Sequence, residues 1–212
     1  MNIKFLSAIF TALATLVITS CGENTTKSDT DTLTNNTDQT TVADSTGWKR
    51  INPTDVKNAV ELFDKDWMAL AVGKEGDMNA MTISWGSMGE LWGRPVIIVY
   101  VSSSRYTYEF MERNKYFTVT GFPEEIRSSL TYIGTHSGRD GDKLKEAGLT
   151  PEFTDLGNPI FKEANLAIEC KIIYSAPFDR QKMDPDAAQI YDRNGMGIHT
   201  MYIGEILNVW EK

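Results

Sequence analysis

From Trp67 to the end the chain carries at least six strand-like segments, and helical patterns separate only some of them. That irregular spacing restricts the fold more than any other feature. A parallel βαβ array needs a helix after every strand, whereas "WMALAVG", a buried strand ending at Gly73, and "MTISW" are separated only by the turn "KEGDMN". In "MTISW", Met81, Ile83 and Trp85 alternate with Thr82 and Ser84, the period-two pattern of a strand with one polar face. "GSMGELWGRP" reads as a glycine-punctuated loop closed by Pro95, and "VIIVYVSSS" as a strand covered on both faces. "YFTVTGF" alternates again, "NLAIECKIIYSA" alternates through Leu166, Ile168, Cys170 and Ile172, and "HTMYIGEILNVW" is the last strand. Helical pieces are expected after Pro53, in "YEFMERN" with Thr107 as its cap, in "PEEIRSSLTYIG" with Ile126, Leu130 and Ile133 on one face, and in "DGDKLKEAG" before Gly148. The pattern predicts a mainly β fold with helical insertions, a small antiparallel barrel.

The first 46 residues stand apart. Lys4 precedes an apolar run, Phe5 to Ile18, that is too short to cross a bilayer comfortably. It reads as the core of an export signal, and Ile18-Thr19-Ser20-Cys21 resembles a bacterial lipobox; the resemblance implies that residues 1–20 are a signal peptide and Cys21 the lipidated first residue of an exported protein, periplasmic or surface-exposed, with a plain secretory signal and an incidental cysteine as the alternative. Residues 21–46 are Thr, Asn, Asp and Ser with almost nothing apolar, too little to offset ordering entropy. They read as a solvated tether, and 47–212 as the folded domain.

Losing residues 1–20 removes one cation, Lys4, and no acid, so the net charge of −8 becomes −9. That excludes nucleic acid as an expected partner, because its binding depends on phosphate neutralisation. With Cys21 lipidated, Cys170 has no disulfide partner and reads as a small buried hydrophobe. Two distant histidines and no CxxC suggest no metal site.

Three polar clusters flank the strands. Thr82 and Ser84 occupy the polar face of "MTISW". "SSSRYT", Ser102 to Thr107, joins a strand to a helix; its hydroxyls, free backbone N–H groups and Arg105 suit a phosphate, and they equally suit a serine-rich turn with a solvated arginine. "SGRDGDK", Ser137 to Lys143, offers Arg139 and Lys143 to an anion but lacks Walker A spacing.

Taken in order, "NAMTISWGSMGELWGRPVIIVYV", "SRYTYEFMERNKYFTVTGF", "SGRDGDKLKEAGLTP" and "HTMYIGEI" resemble the successive signatures of the flavin reductase-like, FMN-binding split-barrel family, flavoredoxin-type branch, over residues 50–212. The resemblance implies a split β-barrel, a homodimer, and FMN near the subunit interface. It implies that Met81, Thr82, Ile83, Ser84 and Trp85 run along the isoalloxazine and ribityl chain, that Ser103, Arg105, Tyr106 and Thr107 hold the ribityl and phosphate end, and that Ser137, Gly138 and Lys143 complete the site. His199 matches a histidine near the flavin face in that superfamily; a strand-end residue bonded to backbone is the alternative reading. Two departures stand out. Relatives often carry "IRPQRYT" where this chain has "VSSSRYT" from Val101, and reductase relatives often carry an acid where this chain has Ile198. The functional expectation is an oxidoreductase passing electrons through FMN. A non-catalytic flavin-binding module, or a cofactor-free surface interaction module, is the alternative.

Overall fold

A computed structural model describes residues 47–56, 59–194 and 196–212. The expected signal peptide, the Cys21 lipidation site and all of the tether lie outside these residues. The strands are β1 (Lys49–Arg50), β2 (Met68–Lys74), β3 (Asp77–Ile83), β4 (Gly86–Leu91), β5 (Arg94–Ser102), β6 (Tyr116–Gly121), β7 (Pro151–Phe153), β8 (Pro159–Phe161), β9 (Leu166–Pro177) and β10 (His199–Glu211). The helices are α1 (Ala59–Glu61), α2 (Tyr106–Arg113), α3 (Arg127–Thr135), α4 (Lys143–Glu146) and α5 (Pro185–Asn194).

One sheet runs in the order β3-β2-β6-β9-β10-β5-β4, with β1 added to β10, and β7 pairs only with β8. Every pairing is antiparallel. β3 and β4 stand at opposite ends of that order, yet only Ser84 and Trp85 connect them. Three peptide steps span at most about 11 Å, so the two edges must approach and the sheet must curl into a barrel. No ladder joins β3 to β4 among the described residues, and the barrel is split along that seam. The fold is the mainly β split barrel with helical insertions that the sequence led us to expect.

Alternation in β2 shows how the barrel is filled. Met68, Leu70 and Val72 point into the barrel with Ile97, Val99, Phe117, Ile168 and Tyr202. Ala69 and Ala71 point outward into a second cluster with Leu130, Ile133, Leu144 and Phe161, where small side chains let α3 and α4 approach closely.

Three expectations are corrected. β3 begins at Asp77 and ends at Ile83, so Trp85 is in the seam link and not in the strand. "GSMGEL" is strand β4, paired with β5 across a turn in which Trp92 (φ 55°) and Gly93 (φ 72°) are both left-handed, the sign pattern of a type I′ turn. Glycine density suggested a loop, and the long β5 overrides it by supplying a pairing edge. Helix α2 starts at Tyr106 with Arg105 as its cap, so Thr107 lies buried in the first turn and caps nothing. Helix α5 falls in a stretch that no expectation covered.

Candidate functional site

Ser102 at the end of β5 is opposite His199 at the start of β10, and Gly86 is opposite Val99. The β3–β4 link, the β5–α2 turn and the start of β10 therefore meet at one end of the barrel, where the last turn of α3 joins them.

Two cations organise this end. Arg105 donates from Nη1 to the Gly134 carbonyl at 2.9 Å. Lys143, only 6% exposed, donates from Nζ to the carbonyls of Ile133 at 2.9 Å and His136 at 3.0 Å. Both thus sit on the last carbonyls of α3, the negative end of that helix. Neither forms an ion pair among the described residues. Burial first, then the nearby Arg105, brings the Lys143 ammonium down to about 8. A buried cation beside a second cation, with no carboxylate, is an arrangement an anionic or electron-rich ligand stabilises.

The aromatic part lies beside it. Trp85 is 47% exposed, and its ring centroid is 5.2 Å from that of His199. Tyr191, from α5, stands edge-on to the same imidazole at 5.6 Å. His199 is buried, and its Nδ1 has no hydrogen-bond partner among the described residues. Burial, then the Arg105 charge, hold the imidazole below its ordinary range, so it is neutral at pH 7.

The other expected residues make the following contacts within the fold. Met81 and Ile83 are buried in the barrel core. The Thr82 hydroxyl donates to the Leu130 carbonyl, and its side chain packs on Gly134, so the polar face of β3 is a seat for α3. Ser84 is exposed in the seam link. Thr107 accepts from Asn79 Nδ2 at 2.8 Å in a buried contact. A Cβ on Gly138 would lie 2.3 Å from Asn79 Oδ1 and 3.1 Å from the Tyr106 ring, so only glycine lets this loop close on β3. The Arg139 guanidinium lies 4.7 Å from the Tyr106 centroid, and Ser137 Oγ accepts from the Arg139 N–H at 3.2 Å. Ser103 donates its N–H to Ile198 at 3.1 Å, and Ser102 Oγ donates to the Gly197 carbonyl at 2.9 Å. A Cβ on Gly197 would lie 2.3 Å from Ser103 Oγ, so the segment before β10 is pressed onto the serine turn.

The sequence reading missed Tyr191 and Asn79. Tyr191 belongs to no motif. Asn79 falls within a quoted signature, at the end of the turn-like stretch "KEGDMN".

The flavin reductase like domain family matches residues 67–212. No curated protein matches the chain in sequence. Among solved structures, the chain is similar to an FMN-binding domain of flavin reductases-like enzyme from Shewanella baltica (TM-score 0.57, 18% identity, covering 77% of this chain and 76% of that one). It is similar to flavoredoxin from Methanosarcina acetivorans (TM-score 0.54, 22% identity, 69% of this chain and 68% of that one). It is also similar to flavoredoxin of Desulfovibrio vulgaris (TM-score 0.53, 24% identity, 69% and 68%). The match covers well over half of the chain, including every element that builds the site, and the protein belongs to the flavin reductase-like domain family.

Proposed function

We infer that the protein is an FMN-dependent oxidoreductase, held to a bacterial membrane by a lipid on Cys21, whose domain passes electrons through bound FMN. The observation that carries this reading is the pair Arg105 and Lys143, two cations without a carboxylate at the end of the barrel where Trp85 lies open. FMN has a phosphate, a polar ribityl chain and a flat ring system. The residues present fit it: the cations suit its negative and electron-rich groups, the Trp85 indole suits the ring, and His199 Nδ1 is a buried polar atom awaiting a partner. The names of the similar proteins, FMN-binding domain and flavoredoxin, point the same way.

When bound, FMN supplies the hydride and electron chemistry. The chain's residues do the rest. Arg105 and Lys143 bind the cofactor and stabilise negative charge that develops beside them. Trp85 excludes water from one side. His199, neutral at pH 7, holds one ring proton and leaves the other nitrogen able to accept one. Trp85 is 47% exposed, and a second copy of the chain is the cover we assign to its ring. Export would place the domain where NADH is not expected, so the electrons come from another donor.

The test is an absorbance spectrum of the purified full chain with and without added FMN, repeated on the Arg105→Ala/Lys143→Met double variant. Bound-flavin bands in the wild type that vanish in the variant are expected. Failure to bind FMN under every loading condition sinks the reading.

A further inference from the structure

Segment 178–198 leaves β9, forms the 3₁₀ turn Arg180–Lys182 and helix α5, and returns to β10. Beneath it lies a groove of about 450 Å³, lined by Phe178, Met183, Ala187, Tyr191 and Met201. The volume is that of a small-molecule site, about 300–1,000 Å³. Met201 lies two residues beyond His199 on the same strand, so the two side chains share the outer face of β10. Tyr191 is a wall of the groove and also packs against His199. The Phe178 N–H donates to the His199 carbonyl at 2.9 Å. Tyr191 alone thus stands between the groove and the imidazole whose Nδ1 has no partner among the described residues.

The electrostatics narrow the occupant. Among the described lining residues only Asp179 and Lys182 are charged, and they pair with each other at 3.2 Å. A pyrophosphate, as in a nicotinamide dinucleotide, needs unpaired cations, and none lines this groove among the described residues. The walls are aromatic, thioether and methyl groups, which suit an uncharged planar ring.

We propose that the groove beneath α5 binds a quinone or its hydroquinone, the compound that exchanges electrons with the flavin. This rests on the FMN reading above and adds the substrate class. A hydroquinone seated there gives two electrons and two protons to oxidised flavin and leaves as the quinone, so the exchange balances without another reagent. Met183 and Met201, both flexible, shape the groove to the ring.

The probe is 2-methyl-1,4-naphthoquinone, titrated calorimetrically into the full chain with and without FMN. The wild type binds one equivalent. Ala187→Trp, at an exposed helix position, fills the groove and weakens quinone binding about tenfold or more, with FMN affinity unchanged. Met201→Trp repeats the block from the opposite wall. The Arg105→Ala/Lys143→Met variant loses FMN yet still binds the quinone, which separates failure of this proposal from failure of the cofactor reading. Three results overturn it: no quinone binding by the wild type, equal binding by Ala187→Trp, or loss of quinone binding with the cation pair, which would put the probe in the flavin site. A shift in sedimentation on Ala187→Trp together with no quinone binding would assign the groove to a second copy of the chain.

Discussion

Lys143 shows how one buried side chain sets a pH dependence. In the free protein its ammonium loses its proton near 8, against an ordinary value of 10.5. A bound anion favours the protonated form, so above pH 8 binding takes up a proton. FMN affinity should be level below pH 8 and fall above it, by up to about tenfold per pH unit. Lys143→Met should bind more weakly at pH 7 and show no such fall; flavin fluorescence titrations from about pH 6.5 to 9.5 would measure both. For folding without ligand the sign is opposite. The folded-state value lies below the unfolded one, so the unfolded chain holds more protons between about 8 and 10.5, and stability rises with pH across that window. Glu169 is a second test at this scale. It is fully buried, and it accepts from Asn158 Nδ2 at 2.8 Å, Thr154 Oγ1 at 2.5 Å and Asn208 Nδ2 at 2.6 Å. Glu169→Leu strands three donors and should cost about 3 kcal/mol or more in urea unfolding, with Glu169→Gln in between. Arg105 and Lys143 were legible because cations in a turn before a helix are visible in any sequence. The commitment of Thr82 to an α3 carbonyl was not, because that contact joins residues 48 positions apart.

At the level of elements, strong alternation was legible and weak pairing was not. β5, β6, β9 and β10 announce themselves because the barrel buries at least one face of each. β4 does not, because Ser87, Gly89 and Glu90 are exposed and its pairing depends on a neighbour that local pattern cannot reveal. Its hairpin also carries an oddity. Trp92 takes φ 55° at a turn position where asparagine or glycine is favoured, and it is 66% exposed. A bulky side chain in that region costs about 1 kcal/mol or more. Trp92→Asn should therefore raise the melting temperature by about 2–4 °C in calorimetry. A fall instead would show that the indole supports a contact outside its own chain.

Across the whole molecule, strand order was the part that local pattern could not supply. The arrangement β3-β2-β6-β9-β10-β5-β4 is made by pairings between distant segments, and only the resemblance to a known family anticipated it. The same topology separates two ends of the domain. β10 runs from His199, at the candidate site, to Glu211, paired with Lys49 where the chain enters the fold. Twelve residue steps of strand cover about 40 Å, so the entering segment and the site stand at opposite ends of one strand. Trp48 is the first of the described residues to join the core, 8% exposed, with Lys212 Nζ 4.2 Å from its ring centroid. Removing residues 1–46 should then leave both FMN affinity and melting temperature unchanged. Removing residues 1–51 deletes Trp48, the β1 ladder and the Ile51 N–H bond to Val209. Loss of a buried tryptophan costs about 3–5 kcal/mol, so the melting temperature should drop on the order of 10 °C. FMN affinity measured well below that melting point should stay within about twofold of wild type. A large loss of FMN affinity in the shorter deletion would mean that the N-terminal segment reaches the site, contrary to the polarity of β10.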